Sequence, residues 1–383
     1  MTEKRSRVVL IPCDTYEEDT VYEKLKEGIR LLGGMEAFVK PEEKVLLKPN
    51  LVRKAKVSRA VVTHPAVMGA AARLLREAGV TSLTAGDSCG VGTAGATAAG
   101  AGMDAVLEKY GVPVVDFTGM GEVPYENGVQ AKSFFLSKEV FEADALINVC
   151  KMKTHALERI TGAVKNMYGC IHGLHKAQGH TMYPSADSFA RMLIDLNQFV
   201  KPRLYIMDGI VAMEGNGPTS GDPVPMNVLL VSKDPVALDS VFCHLINLSP
   251  EMVPTNYHGE RMGLGFWQEE HLELLLSEDG GREITLTEAA RRFGKADFHV
   301  DRRRARSGVW VRMSRFFNVF QKKPYVDREK CVKCGVCVES CPVEGKAITF
   351  ADGRKNPPVY NYKKCIRCFC CQEMCPHKAI KVK

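Results

Sequence analysis

The sequence predicts an α/β fold, a mostly parallel sheet flanked by helices, followed by a smaller C-terminal domain of different construction. Two observations carry the first part. Apolar, β-branched runs alternate with helical stretches from the N-terminus, as in βαβ units, and the helices carry the expected punctuation of proline at the start and glycine at the stop. The predicted strands are Val8–Cys13, Val45–Asn50, Ser82–Gly86, Val112–Phe117, Ala145–Cys150, Leu204–Asp208 and Val228–Ser232. The helices between them are Tyr22–Leu32, Pro65–Ala78 stopped by Gly79, Met103–Tyr110 stopped by Gly111, Asp187–Val200 stopped by Pro202, and Pro235–Ile246. A third observation marks off the C-terminal domain: one cysteine spacing occurs twice within the last part of the chain, from Cys331 to Cys375.

With 383 residues and 45% hydrophobic content the chain can bury a sizeable core and divides into two or three domains. The expected division is an α/β domain over 1–281, a basic, aromatic connecting arm over 282–323 and the cysteine-rich domain over 324–383. Net charge is +7 overall but unevenly placed: −7 over 1–281, +8 over 282–323 and +6 over 324–383. The arm combines Arg302, Arg303, Arg304 and Arg306 with Trp310, Phe316, Phe317 and Phe320. We expect it to pack between the other two domains, with Trp310 and Phe317 buried, or to steer an acidic electron-transfer protein. Nucleic acid is disfavoured, and a membrane surface is an alternative not favoured. Nowhere does the chain show the roughly 18 consecutive apolar residues of a spanning helix. The expected setting is a cytoplasmic, anaerobic one in which thiols stay reduced.

The duplicated spacing is Cys331, Cys334, Cys337, Cys341-Pro342 and Cys365, Cys368, Cys371, Cys375-Pro376, each C-x2-C-x2-C-x3-C-P. Three close thiolates wrap one iron–sulfur cube, and the fourth points to the other. Cys331, Cys334, Cys337 and Cys375 are therefore expected to hold one [4Fe–4S] cluster, and Cys365, Cys368, Cys371 and Cys341 the second. A structural zinc site closes with four ligands at two paired positions and does not use a third evenly spaced cysteine. The segment 324–383 resembles a two-cluster bacterial ferredoxin module, an α+β ferredoxin-like domain. Cys370, between two ligands, reads as an apolar filler.

Open α/β sheets place ligands beyond the carboxyl ends of their strands. The residues there are Lys48-Pro49-Asn50, Gly86-Asp87-Ser88, Lys151 to His155, Asp208 with Glu214, and Lys233-Asp234, with Lys165, Asn166 and Lys176 further on. Converging lysines point to an anionic small-molecule ligand held by Lys48, Lys151, Lys153 and Lys165, with Asn50, Asp87, Ser88 and Asn166 orienting it. His155 and His175 are candidate proton donors, since histidine titrates near neutrality, and Asp208 and Glu214 are carboxylates able to orient them. Gly90-Val91-Gly92-Thr93-Ala94-Gly95 matches G-x-G-x-x-G, but three residues separate it from the strand end. Its expected form is a mobile glycine/alanine loop beside the site, so an additional organic cofactor stays undefined.

These same residues carry a second resemblance. Lys48 to Val52, His64-Pro65, Gly86-Asp87-Ser88, Ile147 to His155, Thr161 to Asn166, Asp208-Gly209-Ile210, Glu214 to Pro218 and Asp234 to Asp239 together resemble the blocks of the domain-of-unknown-function-362 family over about 7–245. The resemblance implies no particular reaction, although members often carry a ferredoxin module. Cys150 stands where proline is expected before the Lys-x-Lys-Thr-His block. The function expected from all of this is iron–sulfur electron transfer, with the module feeding electrons to an oxidoreductase site and exchanging them with an external protein. A non-catalytic carrier or redox sensor is the alternative. Substrate and oligomeric state are not legible.

Overall fold

Residues buried on both faces of a sheet read as continuous apolar runs, and in the computed structural model they form its centre. The model describes residues 5–173, 175–303 and 322–383. The strands in chain order are β1 Ser6–Pro12, β2 Lys44–Lys48, β3 Ser82–Asp87, β4 Val114–Asp116, β5 Gly119–Pro124, β6 Ser133–Ser137, β7 Ala145–His155, β8 Arg159–Thr161, β9 Leu204–Glu214, β10 Asp222–Ser232, β11 Leu272–Leu276 and β12 Arg282–Glu283. The main sheet runs β12-β11-β1-β10-β9-β7-β2-β3-β4, with β8 paired to β7; β5 and β6 form a separate hairpin. From β9 to β4 the main path is parallel throughout. Alternate residues feed two cores: Val9, Ile11, Val45 and Leu47 face one layer of helices, and Val8, Leu10, Leu46 and Tyr205 face the other. The first layer includes α1 Glu18–Arg30 and α2 Pro65–Glu77.

Three differences from expectation bear on function. First, β7 and β9 each run 11 residues, well past the expected ends at Cys150 and Asp208. The motif Lys151 to His155 is thus strand, not loop, because its neighbours β8 and β9 supply ladder partners. Second, β10 runs antiparallel to both neighbours. Lys233 and Asp234 consequently lie at the opposite edge of the sheet from Lys48, and Asp234 serves as a helix cap, accepting from Val236 N and Ala237 N. Third, a helix, α3 Ala94–Ala101, stands where a glycine/alanine loop was expected. Thr93 caps it by accepting from Ala96 N, and Ala94, Thr97, Ala98 and Ala101 give it a small buried face.

The expected boundary at 281 also moves. β12 pairs with β11, and Ile284, Leu286, Ala289 and Phe298 belong to the core of the α/β domain, so residues 282–300 are part of it. Trp310 and Phe317 lie outside the described residues. The C-terminal domain is built from β13 Pro324–Val326 paired with β16 Ile380–Val382, and β14 Ile348–Thr349 paired with β15 Val359–Tyr360. Each cysteine motif leads into a four-residue helix, Val336–Glu339 and Cys370–Glu373.

Candidate functional site: a lysine cluster facing the cysteine module

At the carboxyl edge of the parallel strands, buried lysines meet different fates. Lys48 Nζ donates to Asp87 Oδ1 at 2.9 Å and to Pro49 O, while Asp87 Oδ2 accepts from Leu51 N. Gly169 permits this pairing, since a Cβ there would lie 1.9 Å from Asp87 Oδ1 and 2.4 Å from Lys48 Nζ. Lys151 Nζ donates to Asp208 Oδ2 at 2.7 Å, and Asp208 also accepts from Tyr16 Oη and His64 N. Both amines are neutralised by a buried carboxylate. Asp208 is saturated by these partners and orients no catalytic histidine.

Lys153 is different. Its amine donates to Asn50 Oδ1 and Val61 O, both at 2.8 Å and both neutral. Burial, then the neighbouring charges of Lys165 and Lys151, lowers its pKa to about 7. Asn50 Nδ2 donates to Asn166 Oδ1, and Asn166 Nδ2 to Asn148 Oδ1, so a chain of three amides fixes which atom faces the amine. Lys165 is half-buried beside this group. Ser88 contributes backbone rather than hydroxyl to the next lysine: its carbonyl accepts from Lys176 Nζ.

His155 closes the cluster. Its Nδ1 accepts from Leu157 N and Glu158 N, both at 3.1 Å, which places the ring proton on Nε2. Nε2 lies 2.7 Å from Glu373 Oε1, a residue of the cysteine module. Burial, then the charge of Lys165, lowers the imidazole pKa to about 4. The ring is held in one neutral tautomer by two backbone donors and presents Nε2 to Glu373. His175 does not join the cluster; it stacks on Phe135 at 3.7 Å. Neither does Glu214, whose carboxylate accepts from His299 N.

The segment Asn216 to Ser220, which overlaps the end of the Glu214 to Pro218 block, is a docking platform for the cysteine module. Gln372 Nε2 donates to Asn216 O, Asn216 Oδ1 and Gly217 O, Ser220 Oγ donates to Cys375 O, and Thr219 Oγ1 donates to Glu373 O. The helix Cys370–Glu373 is thereby pressed against the lysine cluster.

Within the module the eight cysteines sort into two cavities. One is lined by Cys331, Cys334, Cys337 and Cys375, the other by Cys341, Cys365, Cys368 and Cys371. Cys375 thus lies with the three close cysteines of the first motif, and Cys341 with those of the second. Backbone N–H groups reach two of the sulfurs, Ala347 N to Cys341 and Ala379 N to Cys375, both at 3.3 Å, as cluster thiolates require. The four thiols that line each cavity are the donor set that an iron–sulfur cluster would take. Cys150 and Cys370 are buried, and neither lines a cavity.

Comparison with known proteins agrees with this division. The model of a domain of unknown function (DUF362) matches residues 45–244, and that of a 4Fe-4S dicluster domain matches 323–376. The chain belongs to the DUF362 family. It is 38% identical over 258 residues to the thylakoid-associated protein sll1697 of Synechocystis sp., covering 67% of this chain and 79% of that one. Among solved structures, the lactate racemase apoprotein from Thermoanaerobacterium thermosaccharolyticum aligns with a TM-score of 0.40 at 13% identity, over 64% of this chain and 57% of that one. A protein from Thermotoga maritima aligns with a TM-score of 0.33 at 13% identity, over 59% of this chain and 57% of that one. This DUF362 protein thus spans under two thirds of either solved chain. Among the described residues no helix is long and apolar enough to cross a membrane.

Four residues of the site escaped the sequence reading. Tyr16 and Asn148 carry no marker beyond being polar, and Glu158 lies three residues after His155, buried with both carboxylate oxygens unpartnered among the described residues. Glu373 has no signal at all, since it is one acid among the cysteines of the second motif.

Proposed function

We propose that this DUF362 protein is an iron–sulfur oxidoreductase that exchanges electrons between two [4Fe–4S] clusters and an anionic small molecule held beside Lys153 and Lys165. The clusters, when bound, supply single electrons. The observation that carries the reading is the 2.7 Å approach of Glu373 to His155, which sets the helix leaving cluster ligand Cys371 against the lysine cluster. Lys153 and Lys165 provide the charge that a carboxylate or phosphate would answer, because Lys48 and Lys151 are already paired. Asn50 and Asn166 orient the Lys153 amine, and His155 holds Glu373 in register. Cys334 is exposed, which leaves the first cavity accessible to an external protein partner. All fourteen cysteines are free, in keeping with a reducing, cytosolic setting.

The test is anaerobic. Fractions of a small-molecule extract are added to the reduced protein, and reoxidation is followed in the visible absorption of the clusters. An anionic fraction should reoxidise the wild type and fail with Lys153→Met. Equal reoxidation of both proteins, or none by any fraction, would overturn the reading. One observation favours a second reading, a carrier or redox sensor without catalysis: Lys48, Lys151 and Lys153 are each buried and hydrogen-bonded within the chain.

A further inference from the structure

Beside the docking platform, on the outer side of His155, the two domains enclose a cleft of about 450 Å3. Six basic side chains line it: Arg159 and Arg303 from the α/β domain, and Lys322, Lys330, Lys378 and Lys381 from the segment leading into and through the cysteine module. Among the described residues two acids share the lining, Asp222 and Asp301. Asp222 pairs with Lys378, Asp301 with Arg303 and Lys322, and Asp327, outside the cleft, with Lys381. Among the described residues, three carboxylates against six cations leave a surplus of three positive charges. None of the lysines assigned above to the strand ends contributes to it.

Two features set this cleft apart from a solvated basic rim. The Arg159 guanidinium is fixed by three carbonyls, donating to Met252 O, Asp301 O and Arg303 O, and it lies 3.8 Å from Asp301 Oδ2, a carboxylate it shares with Arg303 and Lys322. Its backbone sits at φ 67°, in the left-handed region that a non-glycine residue enters at a cost and that collects at functional sites. Lys330, by contrast, is exposed and has no ion-pair partner among the described residues, so its ammonium is available. The volume is that of a small-ligand pocket, which lies in the range of roughly 300–1,000 Å3, rather than of a protein-docking face.

We propose that this interdomain cleft binds a small polyanion, a molecule carrying two or more phosphate or carboxylate groups, and bridges the α/β domain to the cysteine module through it. The site does not depend on cluster redox chemistry, and its test needs no turnover. Calorimetric titration of the full-length protein with pyrophosphate and, separately, with citrate distinguishes a phosphate from a carboxylate ligand. Saturable binding of at least one probe is expected, weakening as salt rises. Arg303→Ala and Lys330→Ala, both exposed substitutions that leave the core untouched, should each weaken it roughly tenfold. Asp222→Asn, which frees Lys378, should tighten it, a change of sign that structural damage would not produce. No saturable binding of either probe would overturn the proposal. So would unchanged affinity in both basic-to-alanine variants, or affinity for an acidic protein alone.

Discussion

The cysteine module and the strand-end lysine cluster each gather one kind of reactive side chain, yet the two have settled their chemistry in opposite ways. In the module eight thiols face two cavities and receive hydrogen bonds, from Ala347 N, Ala379 N and the Tyr360 hydroxyl among others, but among the described residues no counter-charge by an ion pair. Their valence is left for a guest. In the lysine cluster Lys48 and Lys151 are each matched to a buried carboxylate, whereas Lys153, Lys165 and Lys176 meet no carboxylate of the α/β domain by an ion pair among the described residues. Similar residues at similar density therefore do not signify similar function. What separates them is whether the fold supplies the counter-charge.

The largest expected effect breaks the module side of this contrast. Cys341→Ala should empty the second cavity and spare the first, because the fourth ligands cross. Iron and acid-labile sulfide should fall from about eight of each per chain to about four. A protein that keeps its full complement, or that loses the cluster held by Cys331, Cys334 and Cys337 instead, would show the cavities to be misassigned.

Next comes the neutralised lysine. Lys48→Met leaves Asp87 buried without its partner and should cost about 3–5 kcal/mol in urea unfolding. The double change Lys48→Met, Asp87→Leu should recover most of that loss. Failure of the double variant to recover would mean that the pair answers a ligand rather than itself.

Lys153 should behave in the contrary sense. Its folded-state pKa of about 7 lies below that of an unfolded lysine, near 10.4. Between those values the unfolded chain holds a proton that the folded one has released, so stability should rise with pH across this window and level off at its lower value below pH 7, where both states hold the proton. Lys153→Met should flatten that slope, by an amount on the order of a few kcal/mol over the window. Parallel stability–pH curves for the two proteins would indicate that Lys153 stays charged, with a counter-ion supplied from outside the chain.

The smallest effect concerns the seam. Gln372→Ala removes an amide whose two N–H donors are shared among Asn216 O, Asn216 Oδ1 and Gly217 O, and should weaken docking of the module by roughly 1–2 kcal/mol. Faster proteolysis between the domains, with cluster content unchanged, would register it. A loss of clusters in this variant would instead make the platform part of cluster assembly.

Cluster ligation was legible in the sequence because it is local: three thiolates within one short loop are held together by spacing, whatever the rest of the chain does. The α/β layering was legible for a similar reason, since alternation along β1 or β2 already states which side chains face each core. Strand direction was not. Val228 to Ser232 looks the same in either sense, and only the sheet order reveals that β10 runs backward and carries Lys233 and Asp234 away from the lysine cluster. The pairing of Lys48 with Asp87 and of Lys151 with Asp208 likewise depends on neighbouring strands, so residues that read as free cations are spent on each other's edges. Furthest from the sequence is the contact between His155 and Glu373. It joins residues from different domains whose own motifs say nothing of each other, and it exists because Asn216 to Ser220 offers backbone and hydroxyl partners at the height of the helix Cys370–Glu373. Short-range spacing determined what this chain can ligate; long-range packing decided which of its charges remain free.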